Sequence, residues 1–219
     1  MKKFTLGIDE AGRGALAGPL VAVGVLLPRD LTIAKLKKIC LTPIRDGKTL
    51  SPNQRLRIVQ AITTVPIVYK VTMISHTTID SIGIEKANLL AFKNILDQFS
   101  CDSIIADGPY RYNKIFQSYS NLQIIPKADT KYPPVTLAGI CAKHVRDTYM
   151  TEVLHPKHKK YDWNTNAGYG TQNHIRAILT YKRSIFHRKL FTDTACRNYL
   201  QKLKLKELLS LPQKQEALQ

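Results

Sequence analysis

Apolar positions recur along this chain in two rhythms. Phe4 to Asp9 (FTLGID) and Leu20 to Leu27 (LVAVGVLL) are short runs of strand character, the second as unbroken as a strand buried on both faces. Pro66 to Met73 (PIVYKVTM) alternates and is β-branched, and Ser103 to Ala106 and Leu122 to Ile125 add two shorter strands. Helical spacing marks Pro52 to Thr63, with Pro in its first turn, and Glu85 to Phe99. It returns in Val135 to Leu154, with an apolar face through Leu137, Ile140, Cys141, Val145 and Tyr149, and again in Thr171 to Tyr181 and Asp193 to Leu209. Three strands in succession, then helices alternating with strands, predict a mixed five-stranded sheet covered by helices and followed by a helical C-terminal portion. The tail SLPQKQEALQ is polar and is expected to fray.

Composition narrows the function. Hydrophobic residues at 44% supply a core, and 33 Lys and Arg against 16 Asp and Glu leave a net charge of +17. Such an excess concentrates polyanions at the surface, so nucleic acid leads the partner classes. A membrane is not expected: the longest charge-free apolar run, Ala15 to Pro28, is shorter than the ~20 residues of a bilayer span and is interrupted by two glycines and a proline. The start Met1-Lys2-Lys3-Phe4 imitates a secretory leader, but its apolar stretch stops at Asp9 and Glu10. Cys40, Cys101, Cys141 and Cys196 lie far apart, without metal-ligand spacing, and read as reduced thiols of a cytoplasmic protein.

The chemistry gathers at strand ends. Asp9 and Glu10 close the first strand, Asp107 closes SIIAD, and Asp129 follows LQII by a few residues. Each alone reads as a turn or cap residue. Together, in a basic chain, they suggest a crevice at the ends of adjacent strands. Successive side chains on a strand face opposite ways, so Asp9 and Glu10 share a site only if the strand stops there, and Gly12-Arg13-Gly14 is expected to stop it. Clustered carboxylates repel unless cations neutralise them, and an all-oxygen set suits Mg²⁺ or Mn²⁺. Two such ions would fit hydrolysis of a phosphodiester.

Several ordered blocks, spanning residues 4 to 191, are similar to the type 2 ribonuclease H family (ribonuclease HII). They are Gly7-Ile8-Asp9-Glu10-Ala11-Gly12-Arg13-Gly14, Asp46-Gly47-Lys48-Thr49-Leu50, Ala106-Asp107, Lys127-Ala128-Asp129, Ala142-Lys143-His144-Val145-Arg146-Asp147, Gly168-Tyr169-Gly170-Thr171, and His187-Arg188 with Phe191. The resemblance implies an α/β ribonuclease H-like fold with a catalytic domain over 1–191 and a basic helical segment over 192–219. It implies two divalent ions, Mn²⁺ or Mg²⁺, held by Asp9, Glu10, Asp107 and Asp129 as catalytic residues, with no side chain needed as general base. It implies recognition of a ribonucleotide by the Gly12-Arg13-Gly14 backbone and by Tyr169, whose ring would stack on the next sugar. The implied substrates are RNA–DNA hybrids and DNA carrying single ribonucleotides, cut 5′ to the ribonucleotide to leave 5′-phosphate and 3′-hydroxyl ends; separately, the chain is expected to act as a monomer.

Other residues refine the expectation. Lys48 reads as a phosphate contact; Lys143 and Arg146, on one helix face with Asp147, are placed near phosphate or the carboxylates, and Asp147 is taken as structural. Trp163 is expected in the core, His187 and Arg188 to steady the fold, and the lysines of LQKLKLKELL to attract nucleic acid without specificity. Departures from the family pattern at Ala15, Gly47, Thr136 to Ile140 and Lys189-Leu190 are expected to leave the proposed metal ligands untouched, although Gly47 removes a hydroxyl from a phosphate contact. Two other functions compete: a junction resolvase of the same fold, and a nucleic-acid-binding protein without catalysis.

Overall fold

Strand pairing and two apolar faces build the molecule, for which the computed structural model describes residues 3–210. Met1, Lys2 and the tail from Leu211 onward, including the expected fraying, lie outside the described residues. In chain order the elements are β1 (Phe4–Ala11), β2 (Leu20–Pro28), α1 (Ile33–Cys40), α2 (Pro52–Ile62), β3 (Val68–Ile74), α3 (His76–Ile82), α4 (Ile84–Leu96) and β4 (Ile104–Asp107). They continue with α5 (Tyr112–Ile115), β5 (Leu122–Ile125), α6 (Pro133–Thr148), α7 (Trp163–Asn166), α8 (Gln172–Tyr181) and α9 (Lys189–Ser210). The sheet order is β3-β2-β1-β4-β5. β1, β2 and β3 pair antiparallel, whereas β4 runs parallel to both β1 and β5.

Alternation assigns the faces. On β2, Val21, Val23, Val25 and Leu27 join α1, α2 and α6 in one core, while Leu20 and Ala22 join Leu6 and Ile8 of β1 in a second core with α4 and α5. Burial on both sides explains why β2 reads as an unbroken apolar run. A third cluster packs Met150, Leu154, Tyr161, Trp163, Ile175 and Ile178 against Leu16 and Ala17, so the C-terminal helices sit on the loop that leaves β1. Trp163 is fully buried, stacked on Tyr161 with ring centroids 5.3 Å apart, as a core residue should be. No described helix is long and apolar enough to cross a membrane.

Local signals set several boundaries. Ser51 and Gln54 close a capping box on α2 behind Pro52, and Thr171 Oγ1 caps α8 by accepting from the His174 amide. Four helices, α1, α3 and the single turns α5 and α7, lie outside the stretches of helical spacing. The spacing does not mark α1, because three lysines surround its buried Leu36 and Cys40. α3 is β-branched and buries only Ile79, its clearest start signal being the Ser75 cap. The expected long helix to Leu154 instead changes at Tyr149 into a wider π turn, Tyr149–Leu154, which delivers Met150 and Leu154 into the third cluster. α9 begins at Lys189 and runs across residue 191 without a break.

One contact governs how near α6 lies to the sheet. Gly7 of β1 meets the Pro134 and Val135 backbone, where an added Cβ would overlap main-chain atoms that no side-chain rotation can move. Gly7→Ala is therefore expected to lower unfolding free energy by about 1–3 kcal/mol, read from urea denaturation. A midpoint equal to that of the parent protein would show that the helix can shift without cost.

Candidate active site

Three strand ends and one helix converge on a cleft of about 340 Å³. β1 brings Asp9, β4 ends on Asp107, and a 3₁₀ turn after β5, Ala128–Thr130, presents Asp129. The chain reverses into that turn through Lys127, which adopts a left-handed φ of 58°. The reversal points the Ala128 amide at Asp107 Oδ1, 3.3 Å away, tying the two acid-bearing segments together. One carboxylate oxygen from each of Asp9, Asp107 and Asp129 lies within 4.8 Å of the others.

Glu10 stands apart. β1 runs one residue past Glu10 to Ala11 before the Gly-rich turn ends it, so Glu10 has the opposite facing to Asp9. It lines the same cleft, yet its Oε1 lies 3.5 Å from the Arg13 guanidinium and its Oε2 is buried without a hydrogen-bond partner. The Gly-rich turn ends the strand as expected, one residue beyond Glu10, and the cleft gathers three acids closely and a fourth at its edge.

Electrostatics follow from this crowding. Burial, then the charges of Glu10 and Asp107, hold the Asp9 carboxyl well above the usual carboxylate range. Burial also pushes Glu10 up to about 7 against the opposing pull of Arg13, and burial with the neighbouring Asp129 charge raises Asp107. Protons relieve the repulsion only by neutralising the groups; a hard divalent cation relieves it while keeping them ionised. The all-oxygen donors and the orphaned Glu10 Oε2 fit that cation.

The walls carry the substrate candidates. Gly12, Arg13 and Gly14 form one rim; Gly14 is exposed, and a Cβ there would meet nothing within 4 Å. Gly12, at φ 95°, packs so closely on the Arg146 side chain that no other residue fits. Lys48 projects into solvent from the turn Gly47–Thr49, which Arg55 holds by donating to the Gly47 and Leu50 carbonyls at 3.1 and 2.6 Å. Arg55 is itself fixed by Asp147 Oδ2 at 2.9 Å, and Lys143 donates to Asp147 Oδ1 at 2.9 Å. The Lys143 ammonium also lies 4.6 Å from the centre of the Tyr169 ring. Asp147 is structural, as expected.

Arg146 corrects the expectation for its position. Its side chain is wholly buried and donates to three backbone carbonyls, Pro19 at 3.1 Å, Ala17 at 3.0 Å and Ala167 at 2.8 Å. It therefore holds loops together instead of meeting phosphate, and touches the site from beneath, against Gly12 and the underside of Tyr169, 4.8 Å from the ring centre. A second correction concerns Gly139 in the departed block Thr136 to Ile140. A Cβ there would land on Asp9 Oδ2, so one departure does touch a proposed ligand. An unexplained glycine inside a helical pattern was the available signal for such a close approach. His187 and Arg188 are buried, in line with a steadying role.

The raised carboxyl values predict a linked dependence on pH and metal. Groups whose folded value lies above the unfolded one bind extra protons when folded, so without metal their contribution to stability falls as pH rises from about 4.5 to about 7. Mn²⁺ or Mg²⁺ should consequently raise the melting temperature by more at pH 8 than at pH 5.5, measured by thermal denaturation with and without chelator. An equal rise at both values would detach the cation from these acids.

Known proteins resemble this one over most of its length. Residues 6–194 match the family model described as Ribonuclease HII. The sequence is 35% identical over 201 residues to ribonuclease HII of Caldicellulosiruptor saccharolyticus, covering 89% of this chain and 90% of that one. It is 37% identical over 193 residues to ribonuclease HII of Helicobacter pylori strain HPAG1, covering 86% and 91%. In fold it is similar to the ribonuclease HII solved in complex with PCNA from Archaeoglobus fulgidus, with a TM-score of 0.68 at 24% identity over 84% of this chain and 91% of that one.

Proposed function

The chain belongs to the ribonuclease HII family, and from that premise we propose that it incises duplex DNA 5′ to embedded ribonucleotides as well as cutting the RNA strand of RNA–DNA hybrids. The family makes it a metal-dependent endoribonuclease. That membership sets aside both the junction resolvase and the non-catalytic binder. The observation that carries the finer reading is the meeting of Asp9, Asp107 and Asp129, with Glu10 beside them, beneath a glycine-rich rim and an aromatic ring.

Each residue has a task in this reading. Asp9, Glu10, Asp107 and Asp129 hold two divalent ions, Mg²⁺ or Mn²⁺. When bound, such ions stabilise charge on the phosphodiester and make a water more acidic. The exposed Gly14 leaves room for a sugar to approach the main chain of the Gly12-Arg13-Gly14 turn, where a backbone group can meet the 2′-hydroxyl that separates RNA from DNA. Tyr169, backed by Lys143 and Arg146, offers a ring on which the following deoxyribose rests. Lys48 and Lys143 face phosphate. Lys202 and Lys204 on the exposed part of α9 add attraction to the polyanion in the C-terminal segment after residue 191. Four free thiols suit a reducing compartment such as the cytoplasm.

Incubating a labelled duplex bearing one ribonucleotide with Mn²⁺ or Mg²⁺ should give a single incision 5′ to it that chelator abolishes; retention without cutting would defeat the reading. Asp107→Asn should remove incision, by about a hundredfold or more, while duplex affinity measured in gel shift is preserved. Parallel loss of both would indicate misfolding and not a lost ligand. Tyr169→Ala should lower cleavage at a single embedded ribonucleotide more than cleavage of a continuous hybrid, and an equal fall in kcat/KM for both would remove the ring from recognition.

A further inference from the structure

The Gly-rich rim is held from below by a residue the catalytic reading leaves unused. Arg188 is 0% exposed, and no carboxylate lies within ion-pairing distance of it among the described residues. Its Nε donates to the Gly18 carbonyl at 3.0 Å, and its Nη1 donates to the Arg13 carbonyl at 2.9 Å. Its own amide donates to the Leu16 carbonyl at 2.8 Å, and the Gly18 amide donates to the Phe186 carbonyl at 3.0 Å. Residues 186–188 are thereby zipped along residues 16–18, the return arm of the turn, and the guanidinium reaches round to its tip. The tip's other supports are slight: a 3.3 Å bond from the Ala15 amide to the Gly12 carbonyl, and the half-exposed Arg13–Glu10 pair.

A buried cation without an acid is costly, and carbonyl dipoles offset that cost only when its donors are well placed. Arg188 spends one of them on a peptide group of the substrate rim. That peptide is planar and trans, so its carbonyl and the following amide point in opposite directions. With the Arg13 carbonyl drawn inward to Arg188, the Gly14 N–H is turned outward, on the side where Gly14 is exposed and a Cβ would meet nothing. A neighbouring buried chain keeps this anchor rigid. The His187 Nδ1 accepts from the Ser184 amide at 2.9 Å, and its Nε2 lies 3.1 Å from His174 Nε2, the nitrogen that accepts the Trp163 indole N–H at 3.0 Å. His174 in turn donates through Nδ1 to the Tyr169 carbonyl at 2.9 Å.

We propose that Arg188 is a positioning residue for ribose recognition: by fixing the Arg13 carbonyl it aims the Gly14 amide at the 2′-hydroxyl of the substrate. The inference rests on the proposed reading of the cleft and concerns specificity, not metal binding. Lysine at 188 keeps the charge but loses the fork that serves Gly18 and Arg13 together.

The test compares affinities, in Ca²⁺ without turnover, for a duplex carrying one ribonucleotide and for the same duplex in all-DNA form. Arg188→Lys should reduce the preference for the ribonucleotide by about tenfold, the worth of one well-aimed hydrogen bond. All-DNA affinity and Mn²⁺ affinity by calorimetry should stay within about twofold, a split that general loosening of the fold would not give. An unchanged preference, or an equal fall for both duplexes, overturns the proposal. Asp80→Ala guards against a misfolded variant, because exposed Asp80 accepts from the Lys189 amide at 2.9 and 3.0 Å and steadies Arg188 from outside. It should lower the preference in the same direction by less, and no change in it, if Arg188→Lys fails to fold, overturns the proposal too. A parent protein without any preference for the ribonucleotide would instead sink the functional reading on which this rests.

Discussion

α6 rests on β1 with bare backbone at Gly7 and with Gly139 against the Asp9 carboxylate. Much of the site depends on that closeness. A helix held farther out would let water reach Asp9, and burial is the largest cause of its altered proton affinity. It would also carry away Thr136, whose hydroxyl donates to the Asp129 carbonyl, and Lys143 two turns further along the cleft wall. A chain with +17 net charge thus keeps an acidic pocket by excluding side-chain atoms from one helix–strand contact.

The division of labour among cations follows the same geometry. Lys48 and Lys143 reach the cleft, whereas Arg146 and Arg188 lie beneath it and give their hydrogen bonds to carbonyls of the loops they join. Arginine suits the buried task because its planar fork satisfies two or three carbonyls at once. The histidine pair stays neutral beside them: burial, with His174 next in weight, pushes His187 down to about 3. A third positive charge in that neighbourhood is avoided.

Much of this was legible in the sequence. The five strands, the acids at their ends and the core place of Trp163 follow from alternation, strand termination and the preference of a lone aromatic for burial. Other features were not, for identifiable reasons. Lys143 and Arg146 are three residues apart, about 60° from the same direction around a helix. Over that arc α6 passes from cleft to core, and periodicity alone does not show where the boundary falls. α1 hid because its lysines outnumber the two residues it buries, and α3 because threonines and isoleucines carry strand propensity. Adjacency joins Asp9 and Glu10, but alternation along a strand that runs on to Ala11 leaves Glu10 at the edge of the cleft they share. Arg55 and Arg188 support the site through backbone carbonyls, which leave no mark in the residues they grip.

The order of the sheet, β3-β2-β1-β4-β5, also has a consequence in time. The antiparallel trio β1 to β3 joins neighbours in the chain, so its closure is entropically cheap and can come early. The parallel seam between β1 and β4 must draw together segments separated by two strands and four helices, and long-range parallel pairing is intrinsically slow. Asp9 meets Asp107 and Asp129 only across that seam. A newly made chain therefore stays without its catalytic capacity until that seam has closed.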